Sequence, residues 1–176
     1  MNTMLLQKFN QLLSIVGFYL KNPAALERDC PAATIWKSHV DASLTPTTSR
    51  PLSDSESAMA SLLGVKHPER VIICDYTSIQ KMMERSDNQV IQMLNLCTEL
   101  PAEGITLGYT IGIRNYQNPK HNYLAHELVH LTQYEKMNDF SAYMKAYLRL
   151  FPGNDVLSYV NHPMELEANR VMLTVA

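Results

Sequence analysis

One short stretch of the sequence combines residue types that can bind a metal ion and use it in catalysis. His126-Glu127-Leu128-Val129-His130 has two histidines four positions apart and a glutamate next to the first. On an α-helix, residues four apart lie on the same face about one turn apart, so both imidazoles could bind one ion. The carboxylate of Glu127 would lie beside them, where it could take a proton from a metal-bound water. The pattern therefore predicts a zinc site with a general base.

The residues around this motif indicate a helix that is buried rather than exposed to solvent. Leu124, Ala125 and Leu131 add to the apolar residues within the motif, so the predicted helix is apolar on more than one face. Histidine and glutamate side chains in such a helix must be paired or metal-bound, because unsatisfied buried polar groups cost several kcal/mol. The alternative is a surface helix with two solvated histidines, since a single motif of this kind can arise by chance.

A hydrolytic zinc site usually has three protein ligands and one position left for water. No histidine follows His130 at the spacing that would supply the third ligand, but the segment from Pro163 to Asn169 contains two glutamates near the start of a later predicted helix. We expect Glu165 rather than Glu167 to be the ligand, because Asn169 would lie on the same face as Glu165 and could hydrogen-bond a ligand imidazole. The alternative role for Glu165 is stabilisation of the helix start through the helix dipole.

The two motifs together resemble those of the gluzincin zinc metallopeptidases. The similarity is closest to small uncharacterised bacterial domains that carry the motifs H-E-L-x-H-x-x-Q and P-x-E-x-E-A. In this sequence these are the segments from His126 to Gln133 and from Pro163 to Ala168. The resemblance covers roughly residues 105–173.

This resemblance implies a fold and a set of site residues. The fold would be a minimal zincin-like domain of the α+β class, mainly helical, with a small sheet and an H-E-x-x-H helix at the active site. His126, His130 and Glu165 would bind zinc, and Glu127 would be the general base in hydrolysis of a peptide or protein substrate. Relatives often have aspartate where this chain has Asn169, so a neutral amide would orient the histidine here.

The strand that precedes the active-site helix in gluzincins is an edge strand that lines the cleft and pairs with an extended substrate. The segment from Ile105 to Ile113 alternates large apolar residues with small or polar ones, which predicts one strand. Gly108 and Gly112 would lie on one face of it and would allow another backbone to approach closely. An ordinary core strand is the alternative.

Amide hydrolysis at such a site also needs a hydrogen-bond donor for the oxyanion that forms on the scissile carbonyl. The sequence offers several side chains of suitable type near the motifs but does not choose among them. The candidates are Tyr109, Tyr123, Tyr159 and His162.

Two other functions remain open at this stage. A zinc hydrolase of the deformylase type would take an upstream cysteine as third ligand, and Cys97 precedes the histidine motif. However, Cys97 lacks the glycine-flanked context of such ligands and fits a buried helix position better. Alternatively, zinc could stabilise a non-catalytic binding or effector module, if His121 or His162 filled the fourth coordination position.

The rest of the sequence predicts the elements that must position these residues. Before the strand, the predicted elements are a helix from Met4 to Lys21, a short element from Ala32 to His39, a loop from Thr45 to Ser57, a buried strand from Val71 to Cys74 and a helix from Ser86 to Leu100. After it come a helix that begins at Asn118-Pro119 and ends near Met137, a helix from Asn138 or Asp139 to Phe151, a short segment from Asn154 or Asp155 to Val160, and a terminal helix from Pro163 to Ala176. We expect one domain with an N-terminal helical portion (1–45), a loop (46–57) and a metal-binding core (58–176).

Composition narrows the classes of partner. The chain has 176 residues, of which 46% are hydrophobic and 18% are charged, and its formal net charge is −2. These values are typical of one globular domain and do not indicate binding to nucleic acid or to a membrane. Three widely spaced cysteines do not form a disulfide framework. The apolar stretch near the N-terminus is too short and polar for a bilayer span and lacks the features of a signal peptide. We therefore expect a cytoplasmic protein, with export by a specialised secretion system left open.

Overall fold

The structure, a computed structural model, describes residues 3–81, 87–99, 102–153 and 161–175. Its elements are α1 (Thr3–Lys21), α2 (Pro23–Asp29), α3 (Pro31–Ser43), β1 (Ser49–Pro51), α4 (Asp54–Leu62), a 3-10 turn (Pro68–Arg70), β2 (Ile72–Asp75), α5 (Tyr76–Lys81), α6 (Gln89–Glu99), β3 (Gly104–Leu107), β4 (Thr110–Ile113), α7 (His121–Glu135), α8 (Phe140–Arg149) and α9 (Pro163–Thr174). The chain is mainly helical with one small sheet, which confirms the predicted α+β class.

The sheet has the strand order β1-β2-β4-β3, with β2 parallel to β4 and the other pairs antiparallel. The prediction of one strand from Ile105 to Ile113 is wrong, because the chain reverses between β3 and β4. Gly108 allows this reversal, since its φ of 65° is a conformation that other residues rarely adopt. Of these two strands, β3 therefore lies at an edge of the sheet, and β4 is an interior strand.

The close approach predicted at Gly108 and Gly112 does not serve a substrate. A Cβ on Gly112 would collide with the side chain of Ile79 in α5, and one on Gly108 would contact Lys37 and Tyr134. Both glycines thus make room for the protein's own side chains. The close approach that concerns the site occurs instead at Gly104.

The segment predicted as a loop from Thr45 to Ser57 is more ordered than expected. It contains β1, which pairs with β2, and the start of α4. Ser53 caps α4, and Glu56 returns the bond to the Ser53 backbone, which forms a capping box. Arg50 of β1 holds the same glutamate through Nη1 and Nη2 at 2.7 and 2.8 Å.

The predicted helices are confirmed with small shifts at their ends. Helix α7 begins at His121, with Lys120 as its N-cap, so Pro119 precedes the helix instead of occupying its first turn. Asp139 caps α8 and Pro163 opens α9, as predicted. The predicted segment from Asn154 to Val160 lies outside the described residues.

The helices and the sheet share one hydrophobic core. Val16 of α1, Trp36 of α3, Ile111 of β4 and Leu128 of α7 belong to the same buried cluster. The N-terminal helices therefore pack on the part of the chain that carries the metal-ligating motifs. None of the helices in the described ranges has the length and apolar character needed to cross a bilayer.

Candidate metal centre

The three predicted metal ligands converge at the contact between α7 and α9. The Nε2 atoms of His126 and His130 lie 3.1 Å apart. Oε2 of Glu165 lies 3.4 Å from Nε2 of His126, and its Oε1 lies 3.4 Å from Nε2 of His130. This group can hold a metal ion.

The local structure of both helices explains this convergence. Helix α7 is buried on several faces, and the four-residue spacing aligns its two imidazoles toward α9. Pro163 fits the first turn of α9, where its missing N–H has no partner to lose. Ala168 is completely buried, and its small side chain is consistent with the close packing of α9 on α7. Glu165 is thereby held in the first turn of α9 at the level of the two histidines.

The distances and the donor atoms fit a metal ion. A tetrahedral zinc ion with ligands at about 2.0–2.1 Å holds its donor atoms roughly 3.3 Å from one another. The two Nε2 atoms here are 3.1 Å apart, and each is 3.4 Å from its nearer Glu165 oxygen. Two imidazoles with one carboxylate are a donor set of catalytic zinc sites, in which a fourth position stays open.

Charge at the site also favours a cation. Burial would raise the pKa of Glu165, but its contacts with His126 and His130 outweigh this and hold that pKa well below its usual value. Burial would lower the pKa of His130, but Glu165 outweighs this and raises it to about 9. The place where the three side chains meet therefore stabilises positive charge.

Glu127 lies beside this group and is buried, with 5% of its surface exposed. The hydroxyl of Thr106 in β3 donates a hydrogen bond to Oε2 of Glu127 at 2.7 Å. A Cβ on Gly104 would lie 2.7 Å from the other carboxylate oxygen, Oε1. Burial raises the pKa of Glu127, with His130, His126 and Thr106 opposing that rise. A buried carboxylate of raised pKa is suited to accept a proton.

Gln133 supplies the second hydrogen bond of one ligand imidazole. Its Oε1 lies 2.9 Å from Nδ1 of His130, while its Nε2 donates to the carbonyl oxygen of Met164 at 3.1 Å and to Glu167 at 2.9 Å. This arrangement places the Nδ1 proton toward Gln133, and Nε2 is the nitrogen of His130 that faces His126 and Glu165. It also turns Glu167 away from the site, as predicted.

The role predicted for Asn169 is not confirmed. Nδ1 of His130 is engaged by Gln133, and Nδ1 of His126 is buried without a hydrogen-bond partner among the described residues. Asn169 therefore bonds neither imidazole through the nitrogen that faces away from the metal position. The sequence contained a signal for Gln133, since it lies three residues after His130 on the same helix face.

Tyr147 of α8 contacts the site and was missed in the sequence analysis. Its hydroxyl donates to Oε1 of Glu165 at 2.7 Å. Tyr143, four residues earlier on the same helix face, lines the same cavity and is buried. The four-residue spacing of the two tyrosines was visible in the sequence, but it does not show which neighbouring helix they would face.

None of the three predicted oxyanion donors within the described residues lines the cavity beside the metal-ligating group. Tyr109 donates to Glu135 at 3.0 Å, and Tyr123 lies near the start of α7 with Lys120 over its ring. His162 is fully buried and bonds backbone atoms of α8 and α9. Tyr159 lies outside the described residues.

A cavity of about 140 Å³ opens beside the metal group. Thr106, Glu127 and the three candidate ligands contribute polar groups to its wall. The rest of its wall is largely apolar and includes Leu12, Leu94, Cys97, Ile105, Leu107, Tyr143, Met144 and Tyr147.

Alternative ligands are not supported in the described part of the chain. Cys97 lies in the cavity wall but does not belong to the metal-ligating group, and burial raises the pKa of its thiol to about 12. His121 is exposed at the start of α7, and His162 is engaged elsewhere. The described residues thus bring together three candidate ligands, which is the number of protein ligands in catalytic zinc sites.

Comparison of the chain with models of protein families, with characterised proteins and with solved structures gave no match. The choice of function therefore depends on the geometry of the metal-ligating group and of the residues around it.

Proposed function

We propose that the chain is a zinc-dependent metallopeptidase with a zincin-like fold, in which His126, His130 and Glu165 hold zinc and Glu127 is the general base. One observation carries the proposal. The Nε2 atoms of His126 and His130 lie 3.1 Å apart, each lies 3.4 Å from one oxygen of Glu165, and a buried carboxylate lines the same cavity. A purely structural zinc site would have four protein ligands and no need for that carboxylate.

Zinc, when bound, would lower the pKa of a water and polarise the carbonyl of the substrate. The protein's own part in the reaction falls to Glu127. Its Oε2 accepts the hydrogen bond of Thr106, so Oε1 is the atom placed to take a proton from the attacking water and pass it to the leaving amine. The apolar wall of the cavity limits access of other water, which strengthens the interaction of these charges with a substrate.

The position of β3 favours a peptide substrate. β3 is an edge strand, pairs with β4 on one side, and its residues Gly104 to Leu107 line the cavity. An extended peptide could pair with the other side of β3, which would bring an amide bond next to Glu127. A peptide or protein is therefore the substrate class that the geometry supports best.

The test separates metal binding from catalysis. Zinc content of the purified chain would be measured for wild type, Glu127→Gln, Glu165→Gln and Glu167→Gln. The last is a matched control from the same helix, whose carboxylate bonds Gln133 instead of belonging to the metal-ligating group and whose amide replacement can still accept that bond. Each protein would then be incubated with a complex peptide mixture, and new termini would be identified by mass spectrometry.

We expect wild type and Glu167→Gln to bind one zinc ion and to cleave peptides. Glu127→Gln should bind zinc but cleave at least about 100-fold more slowly. Glu165→Gln should lose zinc. Cleavage by Glu127→Gln at the wild-type rate would contradict the mechanism, and zinc binding without any cleavage would favour the non-catalytic module.

A further inference from the structure

Helix α8 provides no metal ligand, but one of its side chains hydrogen-bonds the candidate ligand Glu165. The hydroxyl of Tyr147 donates to Oε1 of Glu165 at 2.7 Å, and the Glu165 side chain is only 12% exposed. A carboxylate that binds a metal through one oxygen commonly has the other oxygen fixed by a hydrogen bond. Tyr147 is the side chain that can do this for Glu165.

His162 in turn fixes Tyr147. The two rings are stacked, with centroids 4.1 Å apart and an interplanar angle of 25°. Nδ1 of His162 accepts a hydrogen bond from the backbone N–H of Met164 at 3.2 Å, so the ring proton belongs on Nε2. Nε2 then donates to the carbonyl oxygen of Tyr147 at 2.8 Å. One imidazole thus joins the residue before α9 to the backbone of α8.

These contacts form a closed circuit around Glu165. His162 is the N-cap of α9, and Glu165 lies in the first turn of that helix. Tyr147 contacts His162 through its ring and its carbonyl oxygen, and Glu165 through its hydroxyl. Tyr147 of α8 therefore fixes both the carboxylate of Glu165 and, through His162, the start of the helix that carries it.

We propose that Tyr147 and His162 are positioning residues that set the place of Glu165 for metal binding. The proposal rests on the proposed function, because it concerns the same metal site. It adds that metal affinity depends on α8, a helix that the ligand motifs do not include. Removal of the Tyr147 hydroxyl should lower zinc affinity although no ligand is changed.

The decisive variant is Tyr147→Phe, because it removes the hydroxyl and keeps the ring that stacks on His162. The backbone bond between His162 and Tyr147 also remains. Tyr143→Phe is the matched control, since Tyr143 lies one turn earlier on α8 and lines the same cavity without the Tyr147 bond to Glu165. His162→Asn is the second variant, because asparagine can still cap α9 but cannot stack on Tyr147.

Zinc dissociation constants of the full chain would be measured by competition with a chelator of known affinity. We expect Tyr147→Phe and His162→Asn to raise Kd about 10- to 100-fold, and Tyr143→Phe to change it less than about 2-fold. The visible absorption of the Co²⁺-substituted protein, which reports ligand geometry, should shift in Tyr147→Phe and not in Tyr143→Phe. A purely structural role for Tyr147 would lower the Tm of the metal-free protein without these two changes.

Equal zinc affinity in wild type and Tyr147→Phe would overturn the proposal, as would weakening confined to His162→Asn. Either result would leave the proposed function intact, because wild type would still bind zinc and depend on Glu127. Failure of wild type to bind zinc would overturn both. The positioning role of Tyr147 and His162 is thus tested by comparing variants with wild type, whereas the proposed function is tested by wild type and Glu127→Gln.

Discussion

The hydroxyl of Thr106 on β3 donates a hydrogen bond to Oε2 of Glu127 on α7 at 2.7 Å. Its oxygen also lies 2.9 Å from the backbone carbonyl oxygen of Glu127. Strand β3 therefore fixes one of the two carboxylate oxygens of the proposed base, and the other, Oε1, lies close to Gly104 of the same strand. β3 thus has two roles, one in lining the cavity and one in orienting the base.

Replacement of Thr106 by valine should slow catalysis without loss of metal. Valine has nearly the shape of threonine but no hydroxyl, and a hydrogen bond to a charged group contributes about 1.5–3 kcal/mol. If this bond orients Glu127 in the transition state, kcat/KM should fall roughly 10- to 100-fold. Steady-state kinetics on a peptide that wild type cleaves would measure the effect.

Thr106→Ser is the control for this change, because it keeps the hydroxyl and should keep most of the activity. Zinc content should be the same in wild type and both variants, since the Thr106 hydroxyl bonds Glu127 and is not part of the metal-ligating group. Equal activity of the valine and serine variants would show that the hydrogen bond does not matter for turnover.

Gly104→Ala should damage the site by crowding Glu127. The added Cβ would lie 2.7 to 2.9 Å from three atoms of the Glu127 side chain, which is too close for carbon. Glu127 is held by Thr106 and cannot move without breaking that bond. We expect a fall in kcat of about 10-fold or more, together with destabilisation of about 1–3 kcal/mol from overpacking.

Gly112→Ala provides the comparison, because its Cβ would collide with Ile79 in the core and not with the site. This variant should lose stability in urea unfolding while the folded fraction retains activity. The prediction for Gly104 is wrong if Gly104→Ala also loses stability but keeps the wild-type turnover per folded molecule.

Low pH should destabilise the fold by protonating Glu56, whose carboxylate connects α4 to β1. Burial alone would raise the pKa of Glu56, but hydrogen bonds from Arg50 and Ser53 outweigh it and lower that pKa from 4.5 to about 2. Because the folded-state pKa is below the unfolded one, this stabilisation is complete above about pH 4.5 and is lost as pH falls toward 2. At pH 7, the free energy of unfolding of Glu56→Gln should therefore be about 1.5–3 kcal/mol lower than that of wild type.

The difference between wild type and Glu56→Gln should shrink in urea unfolding at pH 4 and at pH 3. Glu99→Gln is the control, since Glu99 pairs with Lys8 and both side chains are about one-third exposed. Such an exposed pair contributes no more than about 1 kcal/mol. A constant difference between wild type and Glu56→Gln across this pH range would contradict the assignment.

The metal-ligating group could be predicted from the sequence because helix geometry alone decides most of it. A helix advances about 100° per residue, so His126 and His130 must share a face and Glu165 and Glu167 cannot. The structure has Glu165 at the histidines and Glu167 on the far side, next to Gln133. Helix geometry shows that only one of the two glutamates can face the histidines, whereas the preference for Glu165 depended on Asn169, whose predicted role is not confirmed.

The hairpin was missed because large apolar and small or polar residues alternate along the sequence without a break at the turn. Large apolar residues continue at every second position from Ile105 through Tyr109 to Ile113, so the period of two is unbroken where the chain reverses. Only the positive φ of Gly108 marks the turn, and glycine identity alone does not reveal it. The contacts of Tyr147 and Thr106 were missed for a different reason, since each depends on which elements become neighbours in the folded chain.

The contrast between Gln133 and Asn169 can be tested directly. Gln133 joins Nδ1 of His130 to the backbone of α9, whereas Asn169 bonds neither ligand imidazole at Nδ1. Gln133→Leu should therefore raise the zinc Kd about 10- to 100-fold, because the imidazole loses the partner that fixes its orientation. Asn169→Ala should leave Kd within about 2-fold of wild type. Chelator competition on the two variants measures both values, and weakening by Asn169→Ala as large as that by Gln133→Leu would return the orienting role to Asn169.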